Sequence, residues 1–214
     1  MTTEAVRRRF EGGSKAVRKR FESASSAHEP RLSLIIEHRS PVVLHFLVRN
    51  NAVALHVVLV HPEIHWNTGN VGRSCLAAGA TLHLIEPLGF SLDERELKRA
   101  GLDYWAHVPL RVWPNWEAFE RELPTFGEPW FFTTRSTRLY WEAPLATAAT
   151  GTVLIFGRET AGLPRELLDR HADRCVTMPM ASTVVRSLNL STTVGIALYE
   201  AARQQSQIGE QTPK

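Results

Sequence analysis

The chain is predicted to fold as a parallel α/β sheet with crossover helices, and three features of the sequence point there. Short apolar runs recur from residue 55 onward, Gly, Pro or Asn bounds them, and stretches with helical signals lie between them. Strands of a parallel sheet are covered on both faces, so they read as near-continuous apolar runs rather than as an alternation. Strand–helix alternation on this scale implies βαβ crossovers.

The strand candidates are Leu55–Val60, Leu82–Ile85, Val108–Val112, Trp130–Thr133, Val153–Phe156 and Cys175–Met178. After the first comes Asn67-Thr68-Gly69-Asn70-Val71-Gly72-Arg73, which reads as a permissive loop running into a helix over Asn70–Ala78. Gly79 is placed to close that helix in the left-handed conformation that glycine tolerates. Ser91-Leu92-Asp93-Glu94 is a capping box, predicting a helix that stops at Gly101. Asn115 is placed to cap Trp116–Leu123, and Pro164 suits the first turn of a helix ending near Arg170. The last helix, Leu190–Gln205, carries Leu190, Val194, Ala197, Leu198 and Ala201 at the spacing of a packing face. No internal repeat is present.

Of the 214 residues, 43% are hydrophobic and 22% charged, an ordinary globular composition. No apolar run approaches the roughly 18 residues of a membrane span, so no membrane partner is expected. Cys75 and Cys175 lie far apart in apolar settings without C-x-x-C spacing, which predicts buried free thiols and fits a reducing cytoplasm. Charge is uneven along the chain. Residues 1–50 hold ten Lys/Arg against five Glu, a net +5, and the remainder holds 15 basic and 17 acidic residues, a net −2. Residues 1–52 are therefore read as a basic extension unlikely in composition to pack, 53–206 as the folded domain and 207–214 as a tail. The extension is open to three readings: a solvated tail, an electrostatic arm for nucleic acid, or sequence ahead of a start near Val53.

In open α/β sheets the ligand crevice lies beyond the carboxyl ends of the strands. Three such ends carry loops rich in small residues: Asn67–Arg73, Gly157–Pro164, and the stretch from Pro179 to Ser191. Loops of this kind present backbone N–H and C=O groups to a polar ligand. Several alternatives fail on spacing. Gly69 and Gly72 are not a G-x-G-x-x-G fingerprint, and Leu163-Pro164 stand where a P-loop needs Lys and Ser/Thr. His61-x-Glu63-x-His65 is not H-E-x-x-H and offers no third ligand, so no metal is expected. No G-x-S-x-G elbow is present.

Four stretches, in order, carry a resemblance: "PEIHWNTGNVGRSCLAAGATLHLIEPLGF", "RAGLDYW", "LIFGRETAGLP" and "MPM…VRSLNLSTTVGIALYEAARQ". Over roughly residues 55–205 the sequence resembles the SPOUT (SpoU–TrmD) superfamily of knotted RNA methyltransferases. Within it, the similarity is to short tRNA (cytidine/uridine-2′-O)-methyltransferases of the wobble nucleotide. The resemblance implies a parallel-sheet fold with a C-terminal deep trefoil knot, a feature that composition could not suggest because chains rarely thread loops. It also implies a cytoplasmic homodimer that binds tRNA, with S-adenosyl-L-methionine as co-substrate and no metal. Carried over by motif, the cofactor contacts are Phe132, Gly157, Met178 and Ser187. Arg73 is the expected catalytic residue. Asn67, Asn70, Glu159, Arg186 and Asn189 are expected to bind RNA or anchor the loops, with Glu159 equally open to holding loop amides. Tyr199 falls on the helix that the family uses for dimerisation. Trp105, Trp113, Trp116 and Trp130 are expected in core or interface.

Methyl transfer from a sulfonium to a ribose 2′-hydroxyl needs alignment and easier proton loss rather than a metal. Arginine stays protonated, so Arg73 is expected to orient ribose and phosphate and to stabilise developing alkoxide charge. Methylation of another tRNA or rRNA nucleotide, and a non-catalytic RNA-binding relative, are the competing expectations. One departure from the family pattern stands out. Between Met180 and Arg186 the chain has one residue more, including the stiff β-branched run Thr183-Val184-Val185.

Overall fold

Side-chain alternation along the strands decides the layering. On β1 (Leu55–Val60), Leu55, Val57 and Leu59 enter one hydrophobic cluster while Val58 and Val60 enter another. Successive side chains on a strand point to opposite faces, so a strand with apolar residues on both faces has to be covered twice. The computed structural model describes residues 54–92, 103–146 and 151–208. The remaining strands are β2 (Thr81–Ile85), β3 (Leu110–Trp113), β4 (Glu128–Phe132), β5 (Thr152–Phe156) and β6 (Cys175–Val176). They form a six-stranded sheet in the order β3-β2-β1-β5-β4-β6, with every neighbouring pair parallel.

Helices α1 (His65–Ala78) and α4 (Leu190–Ile208) cover the Leu55–Leu59 face, burying Val71, Cys75, Val194, Ala197, Leu198 and Ala201 there. Helices α2 (Trp116–Phe126) and α3 (Arg165–Arg170) cover the other face with Trp116, Phe119, Leu123, Phe126, Leu167 and Leu168. Removing a ring as deeply buried as Phe119 (0% exposed) costs about 3–5 kcal/mol in comparable cores. Cys75 and Cys175 are buried free thiols, as expected, and burial pushes Cys75 up to about 12.

A histidine is among the polar residues buried in this core. His83 on β2 is fully buried among Trp113, Phe119 and Phe126. Trp113 Nε1 can only donate, and it lies 3.0 Å from His83 Nδ1. The His83 proton is therefore on Nε2, which donates to His56 Nδ1 at 3.0 Å. Burial pushes the His83 imidazole down to about 3, with His56 and Arg111 adding to the shift.

Several expected elements hold with small shifts. Asn115 Oδ1 accepts from Ala118 N at 2.8 Å, and Gly79, at φ 72, closes α1. Helix α2 continues past Leu123 through Pro124 to Phe126, and α4 runs to Ile208. β3 begins at Leu110 because Trp105–His107 form a 3₁₀ turn just before it. β6 is shorter than expected, Cys175–Val176. The larger correction concerns the first loop. α1 begins at His65, so Asn67 to Arg73 are helical and Arg73 lies well inside the helix, not in its first turn. Asn and Gly are weak helix formers, but here tertiary contacts override propensity, with Asn67 and Thr68 only 6% and 1% exposed. The extension 1–52 and most of the helix expected after Ser91 lie outside the described residues.

Candidate active site

Beyond the carboxyl ends of β1, β4, β5 and β6 lies a cleft of about 620 Å³. It opens where the strand order turns back at the β1–β5 pair, the position at which open α/β sheets bind ligands. Phe132 and Phe156, at the ends of β4 and β5, stack with centroids 4.6 Å apart. With Leu163 and Met178 they give the cleft an apolar floor, while the exposed side chains of Arg135, Arg158 and Arg186 bring positive charge to its lining. Such a site suits a flat apolar group held beside an anionic one.

The loop after β5 is a tight hairpin in which Arg158 and Gly162 exchange backbone hydrogen bonds at 3.2 and 2.9 Å. Gly157 makes the hairpin possible, since a Cβ there would lie 2.1 Å from the Gly162 carbonyl carbon. The foot of α1 leans on this hairpin. Ile64, at the N-cap, supplies no side-chain cap. The Glu159 carboxylate accepts instead from Glu63 N (2.8 Å), Ile64 N (3.3 Å) and Asn67 Nδ2 (3.0 Å). An anion at this end of a helix is also favoured by the helix dipole. Asn67 Oδ1 then accepts from Asn189 Nδ2 at 2.9 Å. Asn189 Oδ1 in turn accepts from Ser191 N at 2.8 Å, at the start of α4. One hydrogen-bonded chain thus ties together the three strand-end segments singled out in the sequence.

The expected residues separate into two groups. Asn67, Phe132, Gly157, Glu159, Met178, Arg186, Ser187 and Asn189 all line the cleft. Arg73 and Asn70 do not; both are exposed on α1. The Arg73 guanidinium lies over the Tyr104 ring, 4.5 Å from its centroid. Tyr104 Oη donates to Gly69 O at 2.9 Å, which fixes the ring beneath it. Gly72 faces Trp105 so closely that a Cβ would come 2.6 Å from the indole. In the third loop, Ser182 Oγ accepts from Val184 N and Val185 N at 3.1 and 3.2 Å. This turn leaves both valine side chains exposed and outside the cleft lining, so the extra residue does not intrude on it.

Three contributors were not anticipated. Glu63 accepts from Thr160 N at 3.0 Å and from Thr160 Oγ1 at 2.9 and 2.8 Å. Those bonds, the hydroxyl's first, hold the Glu63 carboxyl below its usual range. His61 adopts φ 52, a left-handed conformation uncommon outside glycine. Its Nδ1 accepts from Arg158 Nη2 at 2.9 Å, and burial, followed by Arg158, lowers its pKa. A carboxylate just before a helix start was the available signal for Glu63. His61 gave none, because its partner is 97 residues away. Among the described residues no group of three or more His, Cys, Asp or Glu is arranged to hold a metal ion, and no helix is long and apolar enough to cross a membrane.

The chain is similar to several known proteins. A tRNA (cytidine(34)-2′-O)-methyltransferase of Burkholderia cenocepacia is 47% identical over 151 residues, covering 70% of this chain and 94% of that protein. A solved structure bearing on the 2-OH methylation of C/U34 on tRNA is 47% identical, with TM-score 0.64 over 71% of this chain and 96% of that one. An AdoMet-bound rRNA methyltransferase from Sinorhizobium meliloti is 27% identical, with TM-score 0.62 over 78% of this chain and 61% of that one. Residues 54–199 match the SpoU rRNA Methylase family. That span takes in all six strands and every residue of the cleft, and the chain belongs to this family.

Proposed function

We propose that this chain methylates the ribose 2′-hydroxyl of tRNA nucleotide 34, the wobble position, using S-adenosylmethionine. One observation carries the reading. Three strand-end segments, bonded through Glu159, Asn67 and Asn189, converge on a cleft with an apolar floor and a cationic lining. Support comes from relatives named for that reaction at 47% identity along 94% of their length.

The cleft residues fit S-adenosylmethionine. Phe132, Phe156, Leu163 and Met178 provide an apolar slot for a purine, and Gly157 and Ser187 bring backbone close to it. When bound, S-adenosylmethionine supplies a methyl group already activated on a sulfonium. Arg73 orients the target ribose and its phosphate and stabilises negative charge growing on the 2′-oxygen. Remaining protonated, it leaves the hydroxyl proton to a phosphate oxygen or water. Asn67, Glu159 and Asn189 set the loops, while Arg186 and Asn70 face the RNA.

A homodimer belongs to this reading, and the position of Arg73 supports it. Arg73 is exposed on α1 and outside the lining of its own cleft, and a second copy would bring an Arg73 to that cleft. Ile196 and Tyr199, 37% and 51% exposed on α4, are apolar side chains available for that contact. A trefoil knot is part of the same reading, and what supports it is the neighbourhood of β6. Cys175 and Val176 pair with β4 on one side, while Thr177 bonds Arg138 and Tyr140 on the other, so the segment that follows β4 flanks β6. The protein works in the cytoplasm, where tRNA is modified and buried thiols remain reduced.

The test is nucleoside mass spectrometry on unmodified tRNA incubated with the protein and S-adenosylmethionine, with and without EDTA. A single 2′-O-methyl group at nucleotide 34, undiminished by chelator, is expected. Methylation mapped elsewhere, or absent, contradicts the assignment.

A further inference from the structure

The segment His61–Glu63, between β1 and α1, and the β5 hairpin face each other as a ladder. His61 Nδ1 accepts from Arg158 Nη2 at 2.9 Å, and Glu63 N donates to Glu159 at 2.8 Å. The Glu63 carboxylate receives both the backbone N–H and the hydroxyl of Thr160 at 2.8–3.0 Å. Each segment thus lends the other a carboxylate. The hairpin does not need Glu63 to form, because the Arg158–Gly162 backbone bonds already close it. What the exchange adds is placement. A carboxylate that accepts two donors of one residue is fixed in direction as well as distance.

The two sides of the ladder have different duties. Thr160 and its hairpin neighbours line the cleft, whereas Glu63 does not line it and stands at the foot of the helix that carries Arg73. We propose that Glu63 and Thr160 are positioning residues, a clasp that sets the cofactor-binding hairpin and the Arg73 helix in one fixed relation. Neither residue need touch cofactor or RNA. The clasp rests on the functional reading above and extends it to residues outside the family contacts. Misplacement of a reacting group by 1 Å can cost on the order of 100-fold in rate, so a small slip of the hairpin is felt in binding and turnover well before it is felt in folding. Thr160 is exposed, and exposed side chains usually change stability by about 0.5 kcal/mol or less.

The test uses the full chain and four variants: Glu63→Gln, Thr160→Val, Thr160→Ser and the double Glu63→Gln/Thr160→Val. Calorimetry gives Kd for S-adenosylmethionine, single-turnover assays give the rate at saturating cofactor and tRNA, and Tm monitors the fold. Glu63→Gln keeps an acceptor oxygen but removes the negative charge from the contact, and Thr160→Val deletes the hydroxyl. Each is expected to raise the cofactor Kd about tenfold and slow single turnover several-fold, in keeping with the loss of a charge-assisted bond. Thr160→Ser keeps the hydroxyl and is expected to match wild type. The double variant is expected to be no weaker than the weaker single variant, since both break the same contact.

Wild-type Kd and rate in both single variants, or a double variant whose defects multiply, overturns the clasp. Should Glu63→Gln lose its fold, the Thr160 pair decides the matter alone: equal behaviour of Thr160→Val and Thr160→Ser overturns the proposal. Wild-type protein that fails to bind S-adenosylmethionine overturns the functional reading together with the clasp, whereas normal wild-type binding beside unaltered variants overturns the clasp only.

Discussion

At the scale of single residues, Arg73 is the side chain proposed as catalytic, and its setting predicts how its removal behaves. Its one described partner is the Tyr104 ring at 4.5 Å, a contact worth about 0.5–1 kcal/mol at an exposed site. Arg73→Ala is therefore expected to lower stability by no more than about that amount and to leave cofactor affinity unchanged. Single-turnover methyl transfer is expected to fall by about 100-fold or more, as when one oriented transition-state donor is lost. Arg73→Lys should recover part of this, because the ammonium keeps the charge without the planar fork. Turnover near wild type in the alanine variant removes Arg73 from the mechanism. At this scale much of the site was legible. Asn67, Phe132, Gly157, Glu159, Met178, Arg186, Ser187 and Asn189 were named from sequence, and all line one cleft. Glu63 and Thr160 were not, because their pairing spans 97 residues.

At the scale of elements, apolar runs located β1, β2 and β5 because these strands are buried on both faces, so the signal needs no knowledge of neighbours. The start of α1 was not legible for the opposite reason. Asn67, Thr68 and Gly69 favour a loop by propensity, and what makes them helical is Glu159 and Asn189 arriving from distant segments. The His83 network belongs to β2 and β3, and it makes a prediction about pH. Burial holds the folded-state pKa down to about 3, below the ordinary value of 6.5, so the folded chain keeps the ring neutral while the unfolded chain takes up a proton. Stability is full above about 6.5 and is lost as pH falls toward the folded value, at up to about 1.4 kcal/mol per pH unit. His56 and His61 are shifted in the same direction. Urea unfolding between pH 7 and pH 5 should therefore show a falling midpoint. His83→Asn, whose amide oxygen can still accept from Trp113, should flatten that slope without abolishing it. An unchanged slope contradicts the buried-histidine account.

For the whole molecule, the order β3-β2-β1-β5-β4-β6 could not be read from the chain. It depends on which crossover helix covers which face, and apolar runs carry no strand order. The order nevertheless decides the function, since it brings the ends of β1, β4, β5 and β6 around one cleft and hands the site residues from separated motifs to each other. Outside the basic first 50 residues the chain is net −2, so on the proposed function the folded part would meet tRNA through local cations such as Arg135, Arg158 and Arg186 at the cleft rather than through overall charge. The central claim is that the methyl group goes to one ribose oxygen, on nucleotide 34. It is tested most directly by transfer of labelled methyl from S-adenosylmethionine to two synthetic tRNAs that differ only in carrying a ribose or a 2′-deoxyribose at that nucleotide. Full incorporation into the ribose tRNA and background incorporation into the deoxy tRNA is the result predicted; equal incorporation into both would contradict the account.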